Sequence, residues 1–224
     1  MSWFKTRKIE EAEIHLTREN LLRRGRILII DDERPDLIDD LKRARFAVDY
    51  ESDITKENLS VIDSQTYDLV ILDFGNVGKS FGTNEGLDLL KYIKRVNPSI
   101  VVLAYTSKSL GTEHAEFFRM ADGVLSKDAG ITDSQEKIEE ALRKALSIPN
   151  LWSGMLNSMH IAPGSEKDQE WQNLYVRGMT KPSKLKELRQ KITSAAGSEG
   201  AQKIAITILE KLIEVGIGAA VGSK

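Results

Sequence analysis

The sequence predicts an α/β fold: a doubly wound five-stranded parallel sheet covered by helices on both faces, with an N-terminal helix and a C-terminal helical extension. Three observations carry this reading. Between residues 26 and 146, short apolar, β-branched runs alternate with longer stretches of helical period, as a sheet with crossover helices requires. Two of these runs end in acidic residues, Asp31-Asp32 after the first and Asp73 after the third. In a parallel sheet the carboxyl ends of the strands form one edge, and ligands bind just outside it. Finally, 224 residues at 41% hydrophobic and 29% charged bury one good core and leave chain for a smaller appendage.

Taken in order, residues 6–24 are charged and read as an accessory helix, with Ile9, Leu16 and Leu21 as scattered apolar positions; they define an N-terminal segment, 1–25. The expected strands are 26–30, 46–50, 69–72, 100–105 and 123–125. Asp133 with Glu136 offers an N-terminal cap for the last helix of this block, in which Ile138, Ala141, Leu142, Ala145 and Leu146 repeat at helical spacing. Pro149 is expected to stop that helix, so the sheet domain spans 26–148. The remainder, 149–224, is expected to be a helical output or oligomerisation region. Residues 150–182 mix Gly, Pro, Ser and Asn with Trp152, Met155, Leu156, Met159 and Trp171, large side chains that must pack on something. Two helices follow, 183–194 and 198–216, broken at Ala195-Ala196-Gly197. In the second, Lys203, Thr207, Glu210 and Glu214 form one narrow stripe and nearly everything else is apolar. Such a helix wants burial on more than one side, by packing, by self-association or at a membrane surface. Its charges argue against a spanning helix.

Composition narrows function. A net charge of -2 gives no bulk electrostatic case for nucleic acid, and Lys181, Lys184, Lys186, Arg189 and Lys191 read as a solvated helix face, so DNA is not an expected partner. No cysteine is present, which removes disulfides, thiolate metal sites and cysteine nucleophiles. The opening Met1-Ser2-Trp3-Phe4-Lys5 lacks the apolar run of a signal peptide, so a cytoplasmic location is expected. His15, His114 and His160 are scattered without ligand-like spacing. The acidic residues remain: three carboxylates converging on one edge repel one another unless a divalent cation neutralises them, and hard oxygen ligands suit magnesium.

Over about 26–146 the pattern resembles the receiver domain of two-component response regulators, of the CheY-like kind. An acidic pair after the first strand, an aspartate ending the third, a hydroxyl residue ending the fourth and a lysine ending the fifth are Asp31-Asp32, Asp73, Thr106 and Lys127. The resemblance implies the flavodoxin-like strand order 2-1-3-4-5, with Asp73 as phosphoacceptor. It implies Mg2+ bound by Asp32, Asp73 and the backbone carbonyl of Gly75, with Asp31 acting through water. Lys127 would pair with a phosphoryl oxygen and Thr106 would donate a hydrogen bond to another. The implied partners are a histidine kinase or phosphotransfer protein, an unidentified output protein and a possible second copy of the chain. Switching chemistry, not metabolic turnover, is expected: the Asp-x-Asp signature of aspartate-nucleophile phosphatases is absent, since Asp31 is followed by Asp32 and Glu33.

The chain departs from the receiver pattern in four places. The segment after Asp73, residues 74–85, is longer and glycine-rich, suggesting a lid or docking element. Asp128 stands where proline usually follows the lysine. Val124 replaces the switch aromatic; Tyr105 is a candidate substitute that strand alternation points away from Thr106. Gly75 and Lys108 occupy the two positions that tune hydrolysis; because glycine cannot orient a water through a side chain, a long-lived aspartyl phosphate is expected. The alternatives are a degenerate receiver acting as a constitutive interaction module and an effector that meets membranes through the apolar C-terminal helix.

Overall fold

The computed structural model describes residue 9 and residues 16–64, 66–107 and 114–221. The chain divides into two compact units, one of Thr17–Val96 with Ile100–Ala145, the other of Met1–Leu16, Asn97–Ser99 and Leu146–Lys224.

The first unit holds β1 (Arg26–Ile30), β2 (Ala47–Glu51), β3 (Leu69–Asp73), β4 (Val101–Thr106) and β5 (Gly123–Ser126). All pairs are parallel and the order is β2-β1-β3-β4-β5, the flavodoxin-like order. Each strand lies within one residue of its expected span. The three central strands are buried along nearly their whole length, whereas β2 and β5 are only partly covered. Helices cover both faces of such a sheet, so the inner strands read as continuous apolar runs while the edges carry polar residues. The interleaved helices are α2 (Leu37–Arg43), α3 (Ser60–Asp63), α4 (Gly86–Val96), α5 (Ala115–Met120) and α6 (Ile131–Ala145). Phe117 on α5 is fully buried. Ahead of β1, α1 (Arg18–Arg24) starts at Thr17, whose hydroxyl accepts from the Asn20 amide. Thr17 is in an extended conformation, so α1 begins after it; of the helix expected over 6–24, residues 6–8 and 10–15 lie outside the described residues, as do residues 1–5.

Two expectations at the end of this unit are corrected. Asp133 lies within the first turn of α6, which starts at Ile131. Pro149 does not end α6: it stands in the first turn of the following helix, α7 (Ile148–Ser158), where a missing N–H costs nothing, and Ser147 provides the N-cap.

In the second unit α7 is joined by α8 (Glu166–Gly178), α9 (Pro182–Ala195) and α10 (Glu199–Val221). The segment 150–182 thus contributes two helices that composition concealed. Their core gathers Trp152, Met155, Trp171, Tyr175, Leu188, Ile192, Ile208, Leu209 and Leu212. Asp168, 1% exposed, is made tolerable there by accepting from Trp152 Nε1 at 2.8 Å, the Gly164 amide at 2.7 Å and Gln172 Nε2 at 3.0 Å. The Tyr175 hydroxyl donates to the Leu212 carbonyl at 2.7 Å, and burial pushes its pKa well up. On α10, Lys203, Glu210 and Glu214 are exposed while Ala205, Ile208, Leu209, Leu212 and Val215 are buried within the unit. No helix among the described residues is long and apolar enough to cross a membrane.

Candidate functional site

Strand register assembles the site. Ile30 pairs with Leu72, so Asp31, the residue after β1, falls beside Asp73 at the end of β3. Asp73 pairs with Tyr105, placing Thr106 one step beyond it on β4. Thr106 pairs with Ser126, and the next residue, Lys127, donates its amide to the Thr106 carbonyl at 2.9 Å. Four chain segments far apart in sequence therefore deliver their terminal residues to one edge.

Asp31, Asp32 and Asp73 each offer a carboxylate oxygen within 4.8 Å of the others. Asp31 is fully buried, Asp73 half-buried and Asp32 exposed. Lys127 bridges two of them, with Nζ 2.6 Å from Asp31 Oδ2 and 3.4 Å from Asp73 Oδ1. Burial raises the Asp73 pKa above the ordinary carboxylate value; Lys127 opposes the shift and Asp31 adds to it. Burial by itself would lower the Lys127 pKa, but the Asp31 and Asp73 carboxylates overcome it and hold the ammonium charged. One ammonium beside three carboxylates leaves the cluster negative, and an all-oxygen donor set suits a hard divalent cation such as Mg2+. The residues present thus fit that ion.

Supporting contacts reach beyond the expected set. Asp31 Oδ1 accepts from the Glu33 amide at 3.0 Å, and the Tyr50 hydroxyl donates to the Asp31 carbonyl at 3.0 Å. Tyr105 is 5% exposed, and Lys127 Nζ stands 5.2 Å from its ring centroid, a cation–π distance. Beside the carboxylates opens a cavity of about 450 Å³, whose lining includes Arg34, Asp36, Tyr105, Ser126, Lys127 and Ser134. The aromatic at the end of β2 and the one before Thr106 were the available sequence signals. Val124 is partly buried against the sheet's apolar core, and Asp128 donates its amide to Ser126 Oγ at 3.1 Å. Lys108 lies outside the described residues. His114 sits against the Phe74 ring at 4.0 Å between centroids; His160 belongs to the helical unit.

The segment 74–85 is anchored at several points. Val77 is fully buried, the Gly78 amide donates to Asp53 Oδ1, and the Gly86 amide closes onto the Phe74 carbonyl at 3.0 Å. Gly78 has φ +71°, and a Cβ there would stand 2.7 Å from Leu89 Cβ, so glycine is required on both counts. Gly75 lies against the site: a Cβ built on it would be 3.9 Å from Asp73 Oδ2. At Gly86 a Cβ would meet the Asp73 carbonyl at 2.5 Å and the Phe74 carbonyl at 2.8 Å. Gly86→Ala is accordingly expected to push α4 off the end of β3 and to cost about 1–3 kcal/mol. Chemical denaturation of the two proteins checks this, and an unchanged midpoint would refute the close approach.

No protein-family model matches this chain, and no curated protein matches it. Solved structures do. The chain is similar to a CheY-like response regulator receiver domain protein from Methanospirillum hungatei, at 25% identity over 54% of this chain and 95% of that one, with a TM-score of 0.44. It is similar to the receiver domain of NtrX from Brucella abortus at 23% identity, over 52% of this chain and 97% of that one, with a TM-score of 0.43. A longer NtrX structure from the same organism, in complex with ATP, matches at 19% identity with a TM-score of 0.47; 70% of this chain is covered, and the match spans 35% of that chain.

Proposed function

We propose that this chain is a response-regulator-like signalling protein, of receiver domain 26–148 and output region 149–224, phosphorylated on Asp73. The observation that carries the reading is the meeting of Asp31, Asp32 and Asp73 oxygens within 4.8 Å, with Lys127 bridging Asp31 and Asp73. A carboxylate oxygen of Asp73 attacks the phosphorus of a phosphohistidine on a histidine kinase or phosphotransfer protein, or of a small phosphodonor. The new O–P bond forms as the P–N or P–O bond to the donor breaks, and the donor leaves with the electron pair. Asp32, Asp73 and the Gly75 carbonyl would hold Mg2+, with Asp31 supporting it through water, and the ion would offset charge on the phosphoryl oxygens. Lys127 shifts from its two carboxylates onto a phosphoryl oxygen, and the Thr106 hydroxyl donates to another. No metabolic turnover is assigned, and the cytoplasm is the proposed location.

Output passes through the helical region by contact with a partner protein or by self-association. The α10 apolar residues that would meet a lipid surface are largely occupied within the helical unit, which speaks against membrane contact through them. A second reading, a constitutive interaction module with a degenerate site, draws on Val124 in place of the switch aromatic. Light-scattering chromatography with Mg2+, with and without beryllofluoride, separates the two. Beryllofluoride stands in for the phosphoryl group. The switch reading expects it to bind and change the assembly of wild type but not of Asp73→Asn; no binding to wild type would favour the constitutive module.

A further inference from the structure

The long segment after β3 turns back so that its far end lies beside its start. The Gly86 amide donates to the Phe74 carbonyl at 3.0 Å, and the Asn76 amide donates to Glu85 Oε2 at 2.8 Å. Gly75 is bracketed by these two bonds. The Gly75–Asn76 peptide is planar and trans, so its N–H and C=O point in opposite directions. Holding the N–H against Glu85 therefore sets the line along which the Gly75 carbonyl projects, away from Glu85. Asn76 has φ +61°, a left-handed conformation that asparagine adopts more readily than most non-glycine residues. Its side chain is engaged elsewhere, accepting from Lys79 Nζ at 2.9 Å.

We propose that Glu85 is a positioning residue for the cation site, its carboxylate orienting the Gly75–Asn76 peptide so that the Gly75 carbonyl is presented as a metal ligand. The proposal rests on the Mg2+-binding reading above and assigns a task to the extended loop: it carries the acceptor that aims a backbone ligand. Outer partners of this kind commonly tune metal affinity without touching the metal.

The test is the Mg2+ dissociation constant of the full chain by calorimetry, for wild type, Glu85→Ala, Glu85→Gln and Asp53→Ala, with melting curves in chelator to confirm folding. Glu85→Ala is expected to weaken Mg2+ about three- to tenfold. Glu85→Gln keeps a carbonyl acceptor and is expected to stay within about twofold of wild type. Asp53→Ala removes the acceptor of the Gly78 amide and so loosens the loop away from the Gly75–Asn76 peptide; it is also expected to stay near wild type. Equal affinity in wild type and Glu85→Ala would overturn the proposal. So would a glutamine variant as weak as alanine, which would mean that charge alone matters, or an Asp53→Ala loss equal to that of Glu85→Ala, which would mean general loop integrity. Absence of Mg2+ binding in wild type itself would instead remove the metal-site reading, an outcome visible before any substitution is compared.

Discussion

Incubation with acetyl phosphate and Mg2+ is expected to add one phosphoryl group to the wild-type chain and none to Asp73→Asn, read by intact-mass spectrometry. Among the described residues, Asp73 belongs to the only cluster of three with mutually close oxygens, and asparagine lacks the nucleophilic oxygen anion. The adduct is expected to persist for hours in the absence of a phosphatase, since Gly75 has no side chain with which to align a water. A phosphate that appears on Asp73→Asn, or one that decays within seconds, would contradict the assignment. The pH dependence follows from burial, which raises the Asp73 pKa above its ordinary value despite Lys127. Without Mg2+ the attacking oxygen protonates at higher pH than in an unperturbed aspartate, and a bound cation, which favours the ionised form, would pull the shift back. The same shift has a stability consequence. With the folded pKa above the unfolded one, ionised Asp73 opposes folding at neutral pH, and stability is regained as pH falls through the folded pKa. In chelator, Asp73→Asn should therefore melt above wild type at neutral pH, with the gap closing on acidification. A variant that melts below wild type at neutral pH would mean that the Lys127 pairing outweighs desolvation.

The largest stability loss is expected from Trp171→Ala in the helical unit, about 3–5 kcal/mol. Trp171 is 1% exposed and packs in a core that also holds Trp152, Tyr175 and Leu212. Its removal leaves a cavity that four helices carrying other large side chains refill only in part. Denaturant unfolding of the full chain, followed by far-ultraviolet circular dichroism, should show the helical transition moving to much lower denaturant. A loss below about 1 kcal/mol would mean that the site collapses around the deletion or that the core is not packed as described.

The same unit shows where reading the sequence ran short. Residues 150–182 carry Gly154, Pro163, Gly164 and Gly178, which obscure a helical period. Yet α7 and α8 form because serines cap them and because Trp152, Trp171 and Tyr175 find a shared core. Nothing in the local sequence sets Asp168 apart from a surface carboxylate; only the folded chain brings Trp152 Nε1 and the Gly164 amide to it. In α10 the broad apolar surface was read correctly as wanting burial on several sides, but which surface covers it depends on α7 and α9, which pack against it.

The sequence by itself determined the sheet and the residues at its carboxyl edge. A strand buried on both faces must be apolar along its length, and the residue at which that run stops is fixed by local order, so Asp31, Asp73, Thr106 and Lys127 could be placed on strand ends before any pairing was known. Only the tertiary structure decided what those ends do to one another: that Lys127 bridges Asp31 and Asp73, that Tyr105 lies beneath it, and that Glu85 and Asp53 anchor the 74–85 segment, read from the sequence as a lid or docking element. Those contacts join residues distant in the chain, and their formation depends on strand register and on positive-φ turns. Local pattern carries no record of either.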